Sequence, residues 1–256
     1  MVEQLTGGDE LGLLLVMEQQ ANAFISSPKL QGLLQWAMSL SDESLPNNQM
    51  LASRALLLHS VIDIAGDSNS ASVIANDIAN DIANDNDNRS VRVITRARAR
   101  ASDSIIAIAS DIARVRASTN VITRASDIVI DISSIITAVS DSYRTNESDD
   151  DSDIAIDYEA LSSKLEDLRG HIPSSKATSD EWQKLTDQLI DTFLTFFHLD
   201  KELITFSPEE SEVLENYLYA TKLIIDCKNA AVRVSRKEWE AIEARLLTPP
   251  SENNQE

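Results

Sequence analysis

Along most of this chain apolar side chains recur every three or four residues, the spacing that places them on one face of an α-helix. Leu13, Val16, Met17 and Ala21 form the first such stripe. Ser27 then offers a hydroxyl N-cap ahead of Pro28, whose fixed φ and missing N–H suit the first helical position. Leu30, Leu33, Leu34 and Ala37 follow at helical spacing. Residues 41–48, which include Pro46, read as a loop, and a third helix through Leu51, Leu56 and Val61 ends near Gly66.

The middle of the chain is repetitive. No glycine or proline occurs from Asp67 to Arg169, so the two strongest backbone breakers are missing there. Residues 75–85 spell Ala-Asn-Asp-Ile-Ala-Asn-Asp-Ile-Ala-Asn-Asp, a strict period of four. On a helix that period drifts by about 40° per repeat, so Ile74, Ala75, Ile78, Ala79, Ile82 and Ala83 share one face and the Asn-Asp pairs the other. Ile94, Ala97, Ala101, Ile105, Ile108, Ile112 and Val115 make a second seam, and Ile122, Ala125, Val129, Ile132, Ile136 and Val139 a third. Residues 97–101 and 128–132 also alternate as half-buried strands do. No turn signal separates them, however, and Ala and Asp are poor strand formers, so the helical reading prevails.

Residues 146–153, Asn-Glu-Ser-Asp-Asp-Asp-Ser-Asp, are too polar to bury themselves and predict a linker. Beyond it lysine, leucine and aromatic residues return. One helix is expected over about 158–168, stopping at Gly170 before Pro173, and another from near Ser179, with Asp180 and Glu181 in its first turn. The seam of this second helix is Trp182, Leu185, Leu189, Phe193 and Phe196. Ser207-Pro208-Glu209-Glu210 combines a serine cap, an N1 proline and a capping box, with Val213, Tyr217, Ala220, Ile224 and Cys227 striped behind it. Ser235 and Glu238 repeat the box before Trp239, Ile242 and Leu246. The expected fold class is therefore all-α: a repetitive helical array, solenoid- or bundle-like, over 10–145. The linker 146–153, a compact C-terminal helical domain over 154–248 and a disordered tail over 249–256 complete it.

Composition narrows the function. Aromatic residues are only 5% of the chain, so its core is mostly small and aliphatic, which favours close helix packing over a large ligand cleft. The formal charge of −20 disfavours nucleic-acid binding by the surface at large. Residues 86–125 run against this trend with eight arginines and three aspartates. Cys227 is the sole cysteine, so no disulfide can form within the chain and a reducing compartment fits. The first residues lack a basic stretch, and the apolar run 11–17 is too short to span a membrane. A cytoplasmic protein is expected.

Four groups of residues could carry chemistry. Arg54 and His59 have the Arg-x4-His spacing that resembles the motif of HEPN ribonucleases, but five positions place them about 140° apart on a helix. A packed arginine and a part-buried histidine are the plainer reading. His198 and Cys227 are two of the ligands a zinc site needs, too few without Asp200 or Asp226, so no metal or other cofactor is expected. Arg89, Arg92, Arg96 and Arg100 make a basic stripe suited to a nucleic-acid backbone or an acidic partner. They match Asp77, Asp81 and Asp85 more simply, as an interhelical ladder of ion pairs, and no interleaved aromatics support base stacking. Trp182, Tyr217, Tyr219 and Trp239 could mark a partner surface, although Tyr217 and Trp239 fall on apolar seams. No catalytic triad with a supporting motif occurs.

Three stretches resemble the C-terminal helical region of bacterial NACHT-type STAND ATPases, which are signalling and defence proteins. The first is Ser27-Pro28-Lys29-Leu30-Gln31 through Gln35-Trp36, with Ser53-Arg54-Ala55 after it. The second is the biased middle, with isoleucine often in place of that family's leucine. The third and most specific is Phe206-Ser207-Pro208-Glu209-Glu210, Tyr217 to Ala220, Leu223 to Cys227 and Glu243 to Pro249. His198 matches one histidine of the turn that precedes the family's Phe-Ser-Pro; a second is absent. The nucleotide-binding module is absent too, since no Gly-x-x-x-x-Gly-Lys-Ser/Thr occurs and Gly7-Gly8 precedes Asp-Glu. The resemblance therefore implies a non-enzymatic sensor, regulatory or scaffold module acting through protein contacts, with a NACHT ATPase as the expected partner.

Overall fold

The computed structural model describes residues 10–41, 46–65, 69–84, 158–173, 177–228 and 233–250. All regular structure among them is helical: α1 (Glu10–Ala23), α2 (Pro28–Ser39), α3 (Asn47–Ala65), α4 (Asn69–Asn84), α5 (Tyr158–Gly170), α6 (Ser179–Phe196), α7 (Lys201–Ile204), α8 (Pro208–Asp226) and α9 (Arg236–Arg245). The seams expected over 94–139, the Arg89, Arg92, Arg96 and Arg100 stripe, the linker and residues 251–256 of the tail lie outside the described residues.

The helix starts follow local chemistry. Ser27 Oγ accepts from the Leu30 N–H at 3.1 Å, with Pro28 behind it as predicted. Thr178 with Glu181, Ser207 with Glu210 and Ser235 with Glu238 each close a capping box, satisfying N–H groups that the first helical turn leaves without partners. The end of α6 is a Schellman turn: the Leu199 N–H reaches the Leu194 carbonyl at 2.9 Å and the His198 N–H that of Thr195 at 3.4 Å. His198 occupies its left-handed position, with φ of 51°, and Leu194 and Leu199 bury themselves beside it. The short α7 follows, capped by Asp200, whose carboxylate accepts from the Glu202 N–H at 3.0 Å. Its four residues are below the length at which apolar periodicity can be read, so the sequence did not reveal it.

Helix α3 is buried nearly all round, which makes it the central rod. It packs against α2, α4, α7 and α9. Helix α4 turns Ala71, Ala75, Ile78, Ala79 and Ile82 inward, the face expected from the four-residue repeat, and lies against both α3 and α8. Alanine at every fourth position keeps the side-chain layer thin, so the helix axes approach closely. Helix α8 also carries α1, and α5 packs on α6. Side chains from α1 to α4 and from α5 to α9 thus share one apolar cluster.

Helix α1 turns a different stripe inward from the one its apolar residues suggest. Glu10, Leu14, Glu18 and Ala21 are buried, whereas Val16 is 53% exposed. The reason is that both glutamates find partners near the other end of the chain.

Candidate functional site

Polar side chains of α1–α4 meet residues beyond 196 along a seam of separate contacts. Glu18 lies bidentate against Arg245 in the last turn of α9, at 2.6 and 2.7 Å. Glu18 is buried, and its hydrogen-bonded carboxylate pushes the pKa of the part-exposed Arg245 guanidinium further up. Glu10 Oε2 accepts from the Arg233 backbone N–H at 2.8 Å. Such charge-assisted contacts give a buried carboxylate the partners without which burial would be costly.

Lys29 makes the second anchor. Its Nζ donates to the Thr205 carbonyl and to Glu210 Oε2, the latter at 2.7 Å, and sits 5.2 Å above the centre of the Phe206 ring. Glu210 is held below the usual carboxylate range, first by that lysine and then by the Ser207 backbone N–H of the capping box. Two residues of the Phe-Ser-Pro-Glu-Glu stretch thereby receive the lysine of Ser-Pro-Lys. Nearby, Trp36 Nε1 donates to the Phe197 carbonyl at 3.0 Å. A Cβ placed on Gly32 would come within 3.0 Å of Leu203 Cδ2, so the absent side chain lets α7 approach α2 closely.

Arg54 is 5% exposed and lies within the core. Its Nε donates to Ser41 Oγ at 3.3 Å, and one terminal nitrogen reaches the Ala244 and Leu246 carbonyls at 3.5 and 3.4 Å. Those carbonyls belong to the end of α9, where a helix carries partial negative charge and lacks N–H partners. Close by, Tyr217 is fully buried, and burial pushes its phenol up while the Leu247 backbone opposes the shift. Asp81 on α4 lies 2.9 Å from Lys222 on α8. Asn47 Nδ2 donates to the Glu240 carbonyl at 2.8 Å.

The other residues singled out by sequence fall as follows. Arg54 and His59 do not share a site: His59 faces α4, with Nδ1 3.0 Å from the Ser72 carbonyl oxygen and 2.8 Å from its hydroxyl. His198 is exposed on its turn, and Cys227 is half-buried at the end of α8, with its thiol pushed up by burial and then by Asp226. Among the described residues no three of His, Cys, Asp and Glu come together as metal ligands would. Tyr217 and Trp239 are core residues, Trp182 is half-buried and Tyr219 is 54% exposed. None of the described helices is long and apolar enough to cross a membrane.

Sequence reasoning missed Glu10, Glu18 and Lys29. A faint signal existed for the first two: they are the only charged residues from 10 to 28, and their spacing of eight puts both on the Leu14 face.

The geometry describes a helical unit whose polar side chains hold helices to one another, and the segment carrying most of their partners is similar to a helical domain known from NACHT proteins. Residues 161–249 match the family NACHT C-terminal Helical domain 2. No curated protein and no solved structure matches the chain.

Proposed function

We propose that this chain is a non-enzymatic regulatory or sensor module of a NACHT-type signalling system, acting through protein contacts. The observation that carries this reading is the NACHT-type domain at 161–249, with α1–α4 packed into the same core. Arg54 supports it: a guanidinium engaged with Ser41 and the carbonyls of α9 is committed to packing and is poorly placed for cleaving a phosphodiester. His59, bonded toward Ser72 on another helix, supports it too. A NACHT ATPase, separate or on the same chain, is the natural partner of such a module, inside the cell.

Two measurements test the reading together. Purified protein is expected to leave RNA uncleaved, with wild type and His59→Ala indistinguishable. Co-expressed with a NACHT ATPase from its own genome, it is expected to co-purify and to change the rate of ATP hydrolysis. RNA cleavage that His59→Ala abolishes would replace the module with a ribonuclease.

A further inference from the structure

Helix α1 uses both of its charges inward, so its outward face has none. Leu15, Val16, Gln19, Gln20 and Ala23 are exposed there, with Phe24 directly after the helix. Leu15, Val16 and Phe24 are 43%, 53% and 37% exposed, and they make up half of the large apolar side chains exposed among the described residues. The remaining three, Val73, Tyr219 and Leu223, are spread over α4 and α8, which also expose Asn80, Glu212 and Asp226. A charge-free apolar face on a chain of net charge −20 has the composition of a contact core, where charge is depleted.

The residues are ordered as two ridges, Leu15-Gln19-Ala23 and Val16-Gln20-Phe24, each stepping by four as helix-packing ridges do. Each ridge is apolar at both ends and an amide in the middle, so it matches its own reverse. An antiparallel copy would set Leu15 against Ala23 and Val16 against Phe24, large beside small in one ridge, with glutamines meeting near the axis. This is the self-complementarity that a two-fold interface requires. Charge opposes pairing through the rest of the surface but not through this face. Two copies brought together through the acidic surface would repel each other, whereas this face sets no like charges opposite each other. We infer that α1 is a homodimerisation helix, pairing antiparallel with α1 of a second copy about a two-fold axis near Gln19 and Gln20. The inference does not depend on the NACHT partnership, because it concerns a second copy of this chain alone.

Sedimentation of the full chain over a range of concentrations, at about 0.05 and about 0.5 M salt, tests it. A reversible dimer is expected, and higher salt should strengthen it by screening the repulsion between acidic bodies. Val16→Glu should abolish the dimer while leaving the circular dichroism melt unchanged, since Val16 faces outward. In a Cys227→Ser background, Gln20→Cys should form an oxidised dimer that reductant reverses. A monomer at every concentration and salt would overturn the inference and leave the face to a different protein. A dimer that Val16→Glu leaves intact would overturn it equally.

Discussion

His198 shows how one backbone angle can decide what a conspicuous residue is for. Paired with Cys227 it suggests a metal ligand, yet in the fold it fills the left-handed position of a Schellman turn, where glycine is the usual occupant. An L side chain at such an angle costs about 1 kcal/mol. His198→Gly is therefore expected to stabilise the protein by up to that amount, and His198→Val to destabilise it, both read from urea midpoints. Arg54 belongs to the same scale. Removing its side chain leaves a void and strips partners from buried carbonyls, so Arg54→Ala should cost about 3 kcal/mol in the same measurement. A surface catalytic arginine would show no such loss.

At the scale of elements, legibility tracks the range over which the chemistry acts. The capping boxes at Ser207 and Ser235, the N1 proline of α2 and the inward face of α4 could be read directly, because each depends on residues within a few positions. The face of α1 could not, because burying Glu18 is favourable only with Arg245, 227 residues away. The boundary between α6 and α7 was hidden for another reason: no glycine marks the turn at His198. The site was less legible than the fold. Lys29, Trp36 and Arg54 stand in the stretches that carry the family resemblance, but their partners are mostly main-chain carbonyls, which leave no mark in a sequence. The Lys29 anchor also predicts a pH dependence. A carboxylate with a lowered native pKa stabilises the fold above its unfolded pKa, and the effect is lost as pH falls through the native value. Glu210→Gln, which keeps the capping geometry, should flatten the acid limb of the stability profile below about pH 4.3, measured by chemical denaturation at a series of pH values.

For the whole molecule, the family match and the folding unit have different extents. The match begins at residue 161, yet the core it belongs to also takes Leu30, Leu33, Leu58, Val61 and Ile78 from the other side of the seam. A fragment of residues 158–250 should therefore melt without a cooperative transition, and adding a 10–84 fragment should restore one, as followed by near-ultraviolet circular dichroism. The two buried glutamates of α1 bear on how the protein is made. Their partners lie 223 and 227 residues downstream, so during synthesis α1 leaves the ribosome long before Arg233 and Arg245 exist to receive it. Helix α1 is made well before the groups that receive its two glutamates, and until α9 emerges those carboxylates stay open to water and α1 to proteases and chaperones.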